Sequence, residues 1–156
     1  MIEGSWSATR NGLGPARFLS TLAPRYFSAT EQERPMASIV DNLRGLVLAP
    51  PHQRERCHAV FLDDNRQFLG SNAIGLGRVD ALSFSMRDLF QRALAIEARG
   101  MVLAHSHPSG DCRPSVNDIE VTKEIAKVAN SLCIELIDHL IFTQSRVYSM
   151  RKGDLL

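Results

Sequence analysis

Paired cysteines are missing from this sequence of 156 residues: Cys57, Cys112 and Cys133 are odd in number, far apart, and form no CxxC. A cysteine-held zinc cluster and a secreted disulfide scaffold are both excluded as first readings on that ground. Long apolar runs are missing too, with none near the ~20 residues that span a bilayer, so no membrane association is expected. The N-terminus shows no basic stretch followed by an apolar core, so no signal peptide is expected and the cytoplasm is the expected compartment. An excess of one charge is also lacking. Lys and Arg total 18 against 17 for Asp and Glu, a formal net charge of +1. Nucleic-acid binding by this chain alone is not expected, because phosphate recognition needs a basic surplus or a basic patch.

What is present is one domain's worth of hydrophobic patterning, with 44% apolar residues. Residues 1–35 are rich in Ser, Gly, Ala and Arg, carry Pro15, Pro24 and Pro35, and have weak periodicity. They read as a poorly ordered or variable extension, with residues 36–156 as the domain. Met36, Ile39, Val40, Leu43 and Val47 repeat at helical spacing, and Pro50-Pro51 stops the run. Arg56 to Leu62 reads as a strand, 63–66 as a turn and Gln67 to Leu69 as a second strand. Ser71 to Asp80, interrupted by Gly75 and Gly77, reads as a loop or irregular strand. Ser85 offers an N-cap to a helix through Leu94, with Gly100 as its terminator. Met101 to Ala104 is a short buried strand, Ser115 to Leu132 a second helix, and Ile134 to Phe142 with Val147 to Arg151 a closing strand pair. The helix at Ser115 turns Ile119, Thr122, Ile125, Ala126 and Ala129 inward. This order predicts an α/β fold, a mixed β-sheet flanked by helices.

The chemistry concentrates between Ala104 and Asp118. His105 and His107 are two apart at a strand end, where a period of two points both imidazoles the same way. Two such imidazoles supply two corners of a tetrahedral Zn2+ site. Asp118, in the first turn of the following helix, supplies a third, and the remaining position is left for water as in catalytic sites. Each piece has a plainer reading. A single histidine on an apolar face is more often a satisfied core residue, and Ser115-x-x-Asp118 is also a helix-capping pattern. The two roles of that pattern are compatible, and the pieces together far exceed chance.

His-x-His-Pro, seven residues to Ser115 and two more to Asp118 resemble the JAMM motif of the JAB/MPN metalloproteases. The stretches Leu103 to Asp111, Ile137 to Ile141 and Val147 to Ser149 look like the bacterial RadC branch, and the resemblance covers roughly residues 37–156. It implies a cytidine-deaminase-like layered architecture and a zinc-dependent hydrolase that cleaves a peptide or isopeptide bond. It also implies His105, His107 and Asp118 as metal ligands, Glu55 as general acid/base, and Ser115 as a hydrogen-bond donor to the oxyanion. In isolation Glu55, between Arg54 and Arg56, reads as a surface carboxylate.

The departures are Ser106, where the branch has Asn, and Cys112, where proline is usual. The first 35 residues hold no counterpart of the branch's helix-hairpin-helix region, and Ala73 to Ser83 match the branch poorly. Cys112 reads as an inert loop thiol. Asp138 and His139 alternate across a strand and read as satisfied structural polar residues, one of which can support a ligand from behind. His52 and His58 have no arguable partners. The expected partner is a peptide or protein substrate. The resemblance leaves room for a homo-oligomer or a protein partner, because related proteins often require one. A non-enzymatic accessory role in DNA repair, historically attached to the RadC name, is the alternative, and the balanced charge gives it little support. A nucleobase deaminase is rejected: it needs His-x-Glu with Pro-Cys-x-x-Cys, and here His107 stands where the glutamate would be.

Overall fold

A computed structural model describes residues 35–51, 53–77 and 85–156. The extension expected over residues 1–35 lies outside these, except for Pro35, as does His52. The first described element, α1 (Pro35–Val47), buries Ile39, Leu43 and Val47 at the helical spacing that the sequence announces. Then come β1 (Glu55–Leu62), β2 (Phe68–Gly77), α2 (Met86–Ala95), β3 (Gly100–Ser106), α3 (Val116–Ser131), β4 (Glu135–Phe142) and β5 (Val147–Ser149). The five strands form one sheet in the order β2-β1-β3-β4-β5. Only the β3–β4 pair is parallel, so the sheet is mixed, as expected. The parallel pair is joined through α3, the crossover that parallel strands require.

All seven residues of β3 are buried, which suits a central strand flanked on both faces. On one face Ala59 and Phe61 of β1, Met101 and Leu103 of β3, and Ile125 and Ala129 of α3 join Leu89 and Phe90 of α2 in a single apolar cluster. α1 packs against β1 and β3. This layering is the α/β architecture, a mixed sheet flanked by helices, that the sequence predicts.

One open expectation is decided and two are corrected. The stretch beginning at Ser71, read as a loop or an irregular strand, is the irregular strand as far as Gly77: β2 continues through it, with register shifts against β1 between Cys57 and His58 and between Phe61 and Leu62. As the outer strand it tolerates glycine and irregular pairing that a central strand does not. Residues 78–84 lie outside the described residues. Gly100 does not end α2. The helix stops at Ala95, Ile96 caps it, and Glu97 takes the left-handed φ of 56°. Gly100 instead opens β3, where an added Cβ would sit 2.7 Å from the tip of the Ile137 side chain, which would have to shift. Finally, β5 ends at Ser149 rather than at Arg151, because residues 150–154 turn.

Leu103 is fully buried at the centre of the apolar cluster. Leu103→Ala is expected to lower stability by about 2–5 kcal/mol, read as a lower urea midpoint with an unchanged denaturant slope.

Candidate metal centre

β3 carries His105 to the middle of the sheet, where it is 1% exposed and level with Cys57 on β1 and Ile141 on β4. The strand ends at Ser106 and His107 follows, its backbone N–H donating to the Phe142 carbonyl at 2.8 Å. The chain then loops through Gly110, whose φ of 84° favours glycine, to the start of α3. The two imidazoles converge, with His105 Nε2 2.8 Å from His107 Nε2.

Ser115 is the N-cap of α3 and forms a capping box with Asp118. Ser115 Oγ accepts from the Asp118 backbone N–H at 3.1 Å. Asp118 Oδ2 in turn accepts from the Ser115 N–H at 2.8 Å and from its hydroxyl at 2.7 Å. The same carboxylate faces the histidines. Asp118 Oδ1 lies 3.4 Å from His105 Nε2, and Oδ2 lies 3.5 Å from His107 Nε2. Capping and the approach to the imidazoles therefore coexist in one side chain, with Oδ2 held mainly by the cap and Oδ1 turned to His105.

The sequence-predicted ligands thus come together: His105, His107 and Asp118 each offer one atom, all within 4.8 Å of one another, in an arrangement that can hold a metal ion. Tetrahedral zinc with bonds of about 2.0–2.1 Å sets its ligand atoms roughly 3.3 Å apart, close to these separations. The donor chemistry also fits. His107 Nδ1 is 2.7 Å from the Asp111 carbonyl, which can only accept, so Nδ1 carries the proton and neutral His107 presents a bare Nε2. A bare ring nitrogen beside a second imidazole and a carboxylate is a donor set able to hold a cation.

The electrostatics reflect the same crowding. Burial alone would raise Asp118, but the two facing imidazoles, which pair with it whenever they are protonated, and the hydrogen bond from Ser115 outweigh it and hold the carboxyl far below its usual range. Burial pulls His107 down, and the Asp118 carboxylate that faces it, the Asp111 carbonyl and the charge of Glu55 more than reverse it by favouring the protonated ring. Glu55 is the half-buried first residue of β1, and its charge is also felt at Cys57. Burial, then Asp118 and Glu55, push the Cys57 thiol far up, so it is an unreactive core cysteine at neutral pH. Cys112 is half-buried in the loop and does not belong to the metal-ligating group among the described residues.

Two contributors have roles that sequence reasoning missed. His139, read as a satisfied structural residue with ligand support as the lesser reading, stands directly behind His105: its Nε2 is 2.8 Å from His105 Nδ1. Thr122, read only as an inward helix position, has Oγ1 2.7 Å from His139 Nδ1. The available signal was a threonine at an otherwise apolar inward position, one turn after Asp118. Asp138 does face the other way: it accepts from Ser149 Oγ at 2.5 Å and from the Arg151 N–H at 3.1 Å, tying β4 to the turn after β5. His58 is half-buried with Nδ1 unpartnered.

Burial holds His105, His139 and His58 below the ordinary histidine value of 6.5, His139 furthest; the neighbouring His105 lowers His139 further, and Arg56 lowers His58. In the unfolded chain these groups take up a proton as pH falls through about 6.5 while the folded ones do not, so each withdraws stability on acidification. Asp118, held low, acts in the same direction below about pH 4. His107, raised, has the opposite sign: its contribution is full below about 6.5 and fades as pH rises through its folded value. Three lowered histidines outweigh one raised. The metal-free protein is therefore expected to lose stability between about pH 7.5 and 5.5, checked by urea midpoints in the presence of chelator.

Among the described residues no helix is long and apolar enough to cross a membrane. A UPF0758 protein of Pseudomonas fluorescens is 32% identical over 149 residues, covering 89% of this chain and 65% of the relative. Another from Carboxydothermus hydrogenoformans is 34% identical over 99 residues, covering 64% of this chain and 44% of the relative. A third, from Symbiobacterium thermophilum, is 30% identical over 151 residues, 93% of this chain and 64% of the relative. The chain thus spans between about half and two thirds of the length of these relatives, and their names state no activity. The profile of the RadC-like JAB domain matches residues 34–155. That match covers most of the chain, and the chain belongs to the RadC-like JAB domain family.

Proposed function

We propose that this domain is a zinc-dependent hydrolase that cleaves the amide bond of a peptide or isopeptide. The observation that carries the reading is the convergence of His105, His107 and Asp118 ligand atoms within 4.8 Å at the end of a buried strand. Two imidazoles and one carboxylate are a zinc-type donor set that leaves a coordination position for water. Bound there, zinc would lower the pKa of a water to about 7 and polarise a substrate carbonyl.

The chain's own groups take the remaining tasks. Glu55, whose field reaches His107, is the group for receiving a proton and passing it to the leaving amine. Ser115 is the donor to the developing oxyanion. Its hydroxyl proton rests on Asp118 Oδ2, so this role requires the hydroxyl to rotate from the carboxylate toward substrate. A small cleft lined by Leu48, Arg54, Pro108 and Thr143 opens beside His107.

The test combines metal analysis with cleavage of a peptide library. About one zinc per chain is expected in the wild type and in Glu55→Gln, and little in His107→Ala. Glu55→Gln is expected to lose about 10²–10⁴-fold in cleavage rate with zinc retained. Equal, negligible zinc in the wild type and His107→Ala would overturn the reading, and iron in place of zinc would replace the hydrolase with the chemistry of a two-histidine, one-carboxylate iron centre.

A further inference from the structure

Behind the ligands lies a buried chain of hydrogen bonds whose proton positions follow from its far end. Thr122 Oγ1 is 2.5 Å from the backbone carbonyl of Asp118, one turn earlier in α3. A carbonyl only accepts, so the proton in this contact is the hydroxyl's. Thr122 has no second proton, and its other close neighbour, Met150 Sδ at 3.6 Å, offers none. Toward His139 Nδ1, at 2.7 Å, Thr122 Oγ1 therefore accepts, and Nδ1 is the protonated nitrogen of that ring. Neutral His139 then has a bare Nε2, which accepts across 2.8 Å from His105 Nδ1–H. The remaining nitrogen of His105, Nε2, keeps its lone pair and points at His107 Nε2 and Asp118 Oδ1.

We propose that His139 and Thr122 are positioning residues that hold His105 as the Nδ1–H tautomer, aiming the Nε2 lone pair into the ligand cluster. All three side chains are buried, Thr122 completely, so water cannot substitute for a missing member or reverse the direction of the chain. The chain begins at one ligand and ends on the backbone of another, Asp118, joining β3, β4 and α3 in a closed circuit. Reversed, it would put a proton on His105 Nε2, between the two imidazoles, and would leave two oxygens facing at 2.5 Å with no proton between them. Partners behind a metal-bound histidine ordinarily fix its tautomer and orientation. The distinctive feature here is a second histidine, itself fixed by a threonine, in place of a carboxylate or a carbonyl.

The effect on metal rests on the zinc reading above, whereas the tautomer does not. The experiment therefore measures both on the full chain. Long-range proton–nitrogen correlation spectra of the chelator-treated, histidine-labelled protein are expected to show His105 and His139 each protonated at Nδ1. Thr122→Val keeps the shape and removes the hydroxyl. It is expected to disturb the His139 tautomer and to weaken zinc binding about 10–100-fold in competition with a chelator. Thr122→Ser is expected to restore both, which a purely steric role would not give. A proton on His105 Nε2 in the wild type overturns the proposal without any variant. So does a folded Thr122→Val with unchanged tautomers and unchanged zinc affinity. Wild-type protein that shows the assigned tautomers but binds no zinc overturns the metal reading and supports this one.

Discussion

A buried imidazole must satisfy two ring nitrogens, and His105 sets that demand at the centre of the sheet. Every residue of β3 is buried, and four of its seven side chains are the apolar Met101, Val102, Leu103 and Ala104. Burying a polar ring in such surroundings costs several kcal/mol unless partners are supplied. One nitrogen finds His139 on the parallel neighbour β4, and the other finds the cluster of His107 and Asp118. The parallel β3–β4 register, with Leu103 beside His139 and His105 beside Ile141, makes the first of these reachable. α3, the crossover between the same two strands, brings both Asp118 and Thr122.

The start of α3 therefore carries two loads. A helix N-terminus has unpaired N–H groups and favours a carboxylate in its first turn. Asp118 answers that need through Oδ2 and still turns Oδ1 to His105. The capping box thus fixes the carboxylate's rotamer, a form of preorganisation that would lower the cost of binding a cation there. The acidic character of Asp118 persists despite half-burial because the donors around it favour its charged form.

Much of this was legible in the sequence, and for definable reasons. The helices were readable because Ile39, Leu43 and Val47, or Thr122, Ile125 and Ala129, recur with the period of the helix. The candidate metal group was readable because His105, His107 and Asp118 lie within fourteen residues of one another, where local geometry limits what they can do. β2 was less readable, since Gly75 and Gly77 look like loop residues until an outer strand position excuses them. Gly100 was misread because it opens a strand and packs beside Ile137, a residue of another strand that is not its neighbour in sequence. His139 was left as a structural residue because nothing along the chain indicates which face of β4 meets which face of β3.

By itself, then, the sequence determined the order of elements, the mixed α/β class and the trio of donors, all of which depend on short-range periodicity and spacing. Only the tertiary structure decided how those donors are held. It brought the His139 ring behind His105 from 34 residues away and showed Asp118 capping and facing the histidines at once. Such facts depend on strand register and on which hydroxyl has a proton to give, and these exist only after the sheet has closed around them.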